Sequence, residues 1–347
     1  MMTHTALLGI DIHAHVVPAH FPAWVDRHIP SGWPSTTEAG CHNGHCHRHV
    51  MIDGKVYRTV DDRCWSVPQR LADLPGMGLA HQVISPMPEL LSYWLDADHA
   101  RPLLRYLNET IAEMVAESGG TLLGLAAVPL QEVSAAIDEL EYAVQQLGLV
   151  GVEIGSHING IPLGDKQLRP FFDACVALDV PVFVHALKPT GMDRLVGPSQ
   201  LQQVLAYPSD VGLAAASVIT GNLLLDCPAL RIAFSHGGGT FASLLPRLQQ
   251  GWHTFPALRD QIAVAPAELA RRLFFDTLVF DTATLRHLAA TFGTSQLMLG
   301  SDYPFNFHER RPVDQVLACT FSSDVTADLV YGNAVHFLGL SNYQKGI

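Results

Sequence analysis

At 347 residues, 48% hydrophobic and 16% charged, the chain has enough apolar material for a large buried core, and no segment is depleted enough to read as disordered. Its formal charge of -12 and the lack of any long basic run argue against nucleic acid, which is held by Lys and Arg clustered on phosphates. No apolar run reaches the roughly 18 residues of a membrane span, so no membrane partner is expected.

The chain opens on MMTHTALLGIDIHAH, which lacks the basic region and long apolar core of a signal peptide. Within it, residues 7–12 read as a strand, followed by His13-Ala14-His15. Alternate strand residues point the same way, so His13 and His15 can grip one ion. Alone the pair is only modestly specific, because 18 histidines make chance pairs common. Residues 20–73 then break the rhythm. They are rich in Pro, Gly, Trp and His, carry a hairpin signal at Asp53-Gly54, and separate the first strand from the second by far more than a usual connection. They are expected to form a lid. CHNGHCHRH, from Cys41 to His49, offers enough soft and imidazole groups for a second metal, but its spacing matches no closed zinc pattern. A lid tip lending one histidine to the pocket is the expectation. The six cysteines (Cys41, Cys46, Cys64, Cys175, Cys227, Cys319) are too thinly spread to suggest a disulfide framework, which fits a reducing cytoplasm.

Further strands are read at 82–86, 122–128, 150–154, 180–184, 231–234, 273–276 and 296–299. Between them lie amphipathic stretches such as 100–118 and 133–148, whose apolar residues recur three and four apart. Eight strands alternating with helices predict an α/β fold: a (β/α)8 TIM barrel forming one domain over 1–347, with 20–73 as its lid insertion. His185 closes the fifth strand, His236 the sixth, and Asp302 stands just past the eighth. Any one of them reads most simply as a loop or core residue bonded to backbone. A stability role gives no reason for all of them, with His13 and His15, to collect at the carboxyl ends of strands; an active site does. HGGG at 236–239 has neither the GK[ST] of a phosphate loop nor a GxSxG serine partner, so its glycines are expected to let the backbone turn beside His236.

IDIHAH, VFVHA, FSHGGGTFASLLPR and MLGSDYPF resemble the metal and catalytic motifs of the amidohydrolase superfamily, in its 2-amino-3-carboxymuconate-6-semialdehyde decarboxylase-like branch. DGKVYRTV with the following CW, GVEIGSHING and GNAVHFLGL resemble the lid, fourth-strand and closing-helix segments of that branch. The resemblance implies that His13, His15, His185 and Asp302 hold one zinc, or another divalent metal, per subunit. It also implies that His236 is the unligated catalytic base, that Asp302 is catalytic as well as a ligand, and that Arg58 and Phe305 bind the substrate carboxylic acid. Arg247 matches an arginine that reaches the neighbouring subunit's site, which implies a homodimer. The fourth strand gives a separate check: GVEIGSH offers Glu153 and His157 but no lysine to bridge two metals, which favours a single ion. Glu153 is read as a supporting residue and His157 as a loop brace. After His185, HALKPTGMDRLVGPSQ departs from the tryptophan-bearing segment of the decarboxylase that names the branch, so the resemblance does not carry that enzyme's substrate over.

These parts predict a metal-dependent nonoxidative decarboxylase acting on a small unsaturated or aromatic carboxylic acid, as in the catabolism of aromatic compounds. Arg58 supplies the planar two-pronged donor that a carboxylate takes best. The alternative is a zinc-dependent hydrolase or hydratase of a ring-cleavage product, lactone or amide, with His236 again as the base. A noncatalytic ligand-binding barrel is the reading from a different class; a basic residue beside a ligand set that is already sufficient counts against it.

Overall fold

A parallel strand buried on both faces reads as a nearly unbroken apolar run, and the eight runs picked out above form one parallel sheet in the computed structural model, which describes residues 8–24 and 28–340. The expected first-strand start at Leu7 and both ends of the expected 1–347 domain lie outside the described residues. The strands are β1 (Gly9–Val16), β2 (Pro34–His42), β3 (His45–Ile52), β4 (Lys55–Asp61), β5 (Leu79–Pro86), β6 (Leu122–Ala126), β7 (Gly151–Gly155), the small hairpin β8 (His157–Ile158) and β9 (Ile161–Pro162), β10 (Val182–His185), β11 (Ile232–Phe234), β12 (Phe274–Asp276) and β13 (Leu297–Met298). Hydrogen bonds run in the order β1-β5-β6-β7-β10-β11-β12-β13. The ring closes where β1 meets the chain leaving β13. There Ile12 N–H donates to Leu299 O (2.9 Å), Asp302 N–H to His13 O (2.8 Å) and His15 N–H to Tyr303 O (2.7 Å).

The outer layer is helical: α1 (Val67–Met77), α2 (Ala97–Glu117), α3 (Val133–Gln145), α4 (Arg169–Ala177), α5 (Tyr207–Thr220), α6 (Leu223–Asp226), α7 (Phe241–Thr254), α8 (Pro256–Gln261), α9 (Pro266–Ala270) and α10 (Thr282–Phe292) come first. The two amphipathic stretches anticipated at 100–118 and 133–148 are α2 and α3. Their buried faces (Leu103, Leu107, Ile111 and Met114; Ala136, Leu140 and Ala143) lie on the sheet. Inside the ring a second apolar cluster takes residues from nearly every barrel strand, among them Ile10, Ile12, Val83, Leu125, Phe183, Phe274 and Met298.

β1 is longer than its apolar run. It continues to Val16, so His13 and His15 are strand residues rather than residues that follow a strand. The register against β5 shifts between Asp11 and Ala14, where β1 carries one extra residue. Ile10 and Ile12 belong to the inner cluster, whereas Ala14 and Val16 belong to the outer one. The alternation therefore changes phase at the bulge, and the change turns His13 and His15 inward at the barrel mouth, as bulges beside active sites do.

Between β1 and β5, β2, β3 and β4 form an antiparallel sheet, and from Val67 the chain is α1, packed on β5. The expected turn at Asp53-Gly54 is present, with φ of 49° and 72°, and a second turn of the same kind sits at Asn43-Gly44, with φ of 52° and 82°. Both pairs suit a two-residue hairpin whose central residues need positive φ. At the second tip Cys41 and Cys46 stand opposite each other and are joined as a disulfide. The spacing of the cysteines suggested no disulfide framework, and this one bridge closes the hairpin tip; with the two sulfurs of CHNGHCHRH bonded to each other, the second metal weighed and set aside for that segment finds no thiolate there. The other cysteines, Cys64, Cys175, Cys227 and Cys319, are free and buried.

Phe292 ties α10 to the sheet: 1% exposed, it stacks on Phe275 with ring centroids 4.0 Å apart and on Phe241 at 5.8 Å. Phe292→Ala should cost about 3–5 kcal/mol of stability. A denaturant titration should show the midpoint fall, with the metal content of the folded fraction unchanged.

Candidate active site

Histidines ligate metals through one ring nitrogen while the other is fixed by an acceptor. Three histidines at the barrel mouth are built that way. Nδ1 of His13 meets Asp276 Oδ2 at 2.7 Å, Nδ1 of His15 meets Pro86 O at 3.1 Å, and Nδ1 of His185 meets Ala186 O at 2.9 Å. Each acceptor takes a proton at Nδ1, which leaves Nε2 as a bare lone pair. Nε2 of His13 and of His15 then face each other at 3.1 Å, and Asp302 Oδ1 lies 3.1 Å from His15 Nε2 and 3.6 Å from His13 Nε2. Nε2 of His185 and Oδ1 of Asp302 are buried with no hydrogen-bond partner.

Lone pairs aimed at one another repel, and buried acceptors without donors are costly. Both problems vanish if one cation sits among them, and separations of this size are those of donors each about 2.1 Å from a shared ion. The residues present therefore fit a divalent metal. Ligand atoms of His13, His185, His236 and Asp302 lie within 4.8 Å of one another, with His15 held against His13 and Asp302 as described. All five expected groups are brought together. The negative surroundings ask for positive charge here, supplied either by a proton on His13 Nε2 or by a metal in its place: although burial opposes it, the Asp276 hydrogen bond raises the pKa of His13 to about 9. Burial likewise works against the charge of Asp302, yet the contacts with His15 and His13 hold its carboxyl below the usual range.

His236 differs from the other three. Its Nδ1 meets a hydroxyl, Ser235 Oγ, at 3.0 Å, and a hydroxyl both gives and accepts, so no tautomer is imposed. Burial, then the neighbouring His13, push its pKa down to about 4, which leaves it neutral. The glycines after it do what was expected of them. Gly237, Gly238 and Gly239 all have positive φ, and at Gly239 a Cβ would stand 1.8 Å from Pro208 O. His236 and Asp302 also have positive φ, 56° and 64°; such strain in non-glycine residues collects at functional sites.

A layer beneath the donors holds them in place. Asp276, fully buried at the end of β12, accepts from His13 Nδ1 and His236 N–H (2.9 Å) on Oδ2, and from Gly237 N–H (2.7 Å) and Leu278 N–H (3.1 Å) on Oδ1. Asp11 accepts from Ser301 Oγ (2.5 Å) and Gln82 Nε2 (2.9 Å). Arg70, completely buried, donates to Gln82 Oε1 (2.7 Å) and His15 O (2.6 Å). None of Asp276, Asp11 or Arg70 was singled out from sequence. Asp276 had a usable signal, a lone carboxylate ending an apolar strand at the rim that carries the histidines.

Above the donors opens a cavity of about 880 Å³, lined by His185, His236 and Asp302 below and by Arg58, His42 and His47 from the β2–β4 sheet above. The Arg58 guanidinium lies 4.3 Å over the Phe305 ring, which in turn stacks on His15 at 5.4 Å. Phe305 thus supports a cavity cation and a donor histidine at once. Two histidines, not one, come from the hairpin tip, stacked at 3.7 Å. Arg247 lies elsewhere, exposed on α7 and outside the cavity lining. Glu153 is fully buried beneath the donors, its Oε2 3.9 Å from His15 Nδ1, and burial pushes its pKa up to about 7. His157 braces its loop as expected, with Nε2 3.1 Å from Lys188 O and Nδ1 accepting from Gly160 N–H at 3.0 Å.

Comparison with known proteins identifies the family. Residues 10–340 match the family described as Amidohydrolase. A 2-amino-3-carboxymuconate-6-semialdehyde decarboxylase of Dictyostelium discoideum is 34% identical over 336 residues, covering 96% of this chain and 92% of its own. A 2-keto-4-carboxy-3-hexenedioate hydratase of Sphingobium sp. is 27% identical over 313 residues, covering 85% and 83%. Among solved structures, IDCase of Metarhizium anisopliae in apo form superposes with a TM-score of 0.79 at 18% identity, over 96% of this chain and 97% of that one.

Removing the carboxylate that fixes His13 tests how the donors are held. Asp276→Asn should weaken metal affinity by about 10–100-fold while the protein stays folded. Competition with a chromogenic chelator measures it; undiminished affinity would refute the supporting role.

Proposed function

This chain belongs to the amidohydrolase family, in the branch of the 2-amino-3-carboxymuconate-6-semialdehyde decarboxylases, and from that premise we propose that it is a metal-dependent nonoxidative decarboxylase of a small unsaturated or aromatic carboxylic acid. The observation that carries this reading is the meeting, in one cavity, of orphaned metal donors, a neutral histidine and a half-buried arginine.

In this reading His13, His15, His185 and Asp302 hold one divalent ion per subunit. Three imidazoles and one carboxylate make a set that zinc accepts, and zinc is our assignment. When bound, such an ion supplies Lewis acidity, polarising the substrate's oxygens or lowering the pKa of a water. The protein's own residues do the rest. Arg58 grips the substrate carboxylate through its fork, and Phe305 keeps the guanidinium flat over the cavity floor. His236, held neutral, first takes a proton from substrate or water and then returns it to the carbon that bears the carboxylate. The bond from that carbon to the carboxylate breaks, its electron pair restores the conjugated system, and carbon dioxide leaves. The β2–β4 sheet is read as the lid of the 20–73 insertion, closing the cavity against bulk water.

We place Arg247, on its exposed helix, at the neighbouring site of a homodimer, where it adds a second cation for the acid. Cytoplasmic residence fits the four buried free cysteines; there the exposed Cys41–Cys46 pair is the one that a reducing milieu opens. Among the described residues no helix is long and apolar enough to cross a membrane.

Hydration or hydrolysis is the second reading, favoured by the Sphingobium relative whose name is that of a hydratase. The same His236 then serves as the base toward water.

Metal-loaded enzyme incubated with candidate aromatic and dienoic acids should release carbon dioxide in step with substrate loss. Turnover with every carboxylate retained would reject decarboxylation in favour of the second reading. His236→Ala should lower kcat by about 10²–10⁴-fold with metal content unchanged; full turnover in that variant would remove His236 from the mechanism.

A further inference from the structure

The cavity is larger than the acid that its metal donors and Arg58 would hold. About 880 Å³ is near the upper end of what pockets for drug-sized ligands enclose, whereas a carboxylate with the ring or diene that bears it is a fragment of such a ligand. The remaining space is bounded by loops that the mechanism leaves unused. Phe280, in the turn after β12, and Phe307, in the loop after β13, line it. So does Val204, from a π-helical turn (Gln202–Ala206) that leads into α5. Val204 lies just past residues 185–200, the stretch that departs from the branch's tryptophan-bearing segment.

Single exposed hydrophobic residues are ordinary on a protein surface and need no function. These three form a group instead. Phe280 and Phe307 are each 46% exposed and Val204 47%, and the two rings stack with centroids 4.8 Å apart. An apolar wall is thus held open to the same cavity as Arg58 and His236.

The Phe280 position is kept against a backbone cost. Its φ is 55°, in the left-handed region where a bulky residue is an outlier, and such strain persists only when the surroundings over-determine it. Here they do. Gln315 of α11 (Pro312–Ala318), its amide turned so that both ends are matched, donates to Thr277 O at 3.0 Å and accepts from Phe280 N–H at 3.1 Å. Leu278 N–H is held by Asp276, and Asp281 caps α10 through Thr284 N–H at 2.7 Å. A glycine would remove the strain, and burial offsets little of it, because the residue stays nearly half exposed. A ligand lying on the ring supplies the missing burial.

We infer that Phe280, Phe307 and Val204 form an apolar subsite of the cavity, which takes an extended hydrocarbon substituent of the substrate while Arg58 holds its carboxylate. The substrate class becomes unsaturated or aromatic acids that carry an alkyl chain of several carbons or a second ring away from the carboxylate, so the small reacting acid is one end of a longer molecule. The subsite rests on the reading of the cavity as an acid-binding active site. A second copy of the chain is the other candidate cover for these rings; their opening into the cavity of the metal donors favours the ligand.

Calorimetric titration of the metal-loaded protein with benzoate and its 3- and 4-methyl, ethyl, propyl and butyl derivatives gives affinity against chain length. Full burial of a methylene is worth about fourfold in affinity, so at least one of the two series should tighten by about two- to fourfold per carbon, to about 15-fold or more at butyl. In the double variant Phe280→Gly/Phe307→Ala, with folding checked by melting temperature, the gradient should fall below about 1.5-fold per carbon. The gradient is a ratio among ligands and so reads the rim apart from the grip on the carboxylate. A flat series in the wild type, or a gradient that survives the double variant, overturns the inference. So does a gradient lost only because the variant falls apart into monomers, as sedimentation velocity on the same samples would show; the rings would then be a subunit contact. Failure of the underlying reading looks different: if Arg58→Ala leaves the affinity for benzoate itself undiminished, Arg58 does not hold the acid, whereas the wild-type gradient still reports on the rim.

Discussion

The bond from His13 Nδ1 to Asp276 Oδ2, at 2.7 Å, spans the mouth of the barrel, and the site depends on it in three ways. It fixes the His13 tautomer, so that Nε2 is bare. It uses the oxygen that also receives the His236 amide, so that both histidines are referenced to one carboxylate. It also supplies the negative charge that makes a cation welcome in a place fully shielded from water. Asp276 is completely buried and all of its acceptor capacity is matched. A carboxylate so satisfied acts as a rigid post, not as a third-party ligand.

Barrel closure is what allows such a post to exist. β1 and β12 are not neighbours, since β13 lies between them in the ring, yet side chains from the carboxyl ends of both converge on the axis. The bulge in β1 adds the second condition. Without the phase change between Ile12 and Ala14, a strand whose even-numbered residues face inward would have turned His13 and His15 toward the helices. One extra residue moves two imidazoles from packing positions to the mouth. Arg70, buried beneath them, then ties the carbonyl of His15 to Gln82, and so makes the altered course of β1 part of the core.

Above the mouth, Glu89 accepts from phenols of β4 and α5. Because Tyr57 comes from the β2–β4 sheet and Tyr207 from the barrel helices, this carboxylate ties the sheet to the barrel. The same sheet contributes Arg58, and Phe305 connects it downward to His15. The sheet is therefore joined to the barrel on both sides of the cavity.

The sequence alone determined the barrel and which polar residues gather at its rim. Parallel strands buried on both faces must be continuous apolar runs, so each was legible, and four of them carried the polar residues of the carboxyl rim. His13, His15, His185, His236 and Asp302 were readable because strand ends share a direction. The resemblance set His236 apart from the other four, but only the tertiary structure gave the physical reason. Whether a histidine is a bare donor or a free tautomer depends on what meets its Nδ1: Asp276, Pro86 O and Ala186 O in three cases, Ser235 Oγ in the fourth. Of these partners Asp276 and Pro86 lie 263 and 71 residues away from their histidines. The pairing of Cys41 with Cys46 and the inward turn of Glu89 were hidden for the same kind of reason. Hairpin register and helix docking set them, and neither leaves a periodic trace in the residues concerned. Periodicity records which face of a strand or helix is buried; it carries no record of which partner waits there.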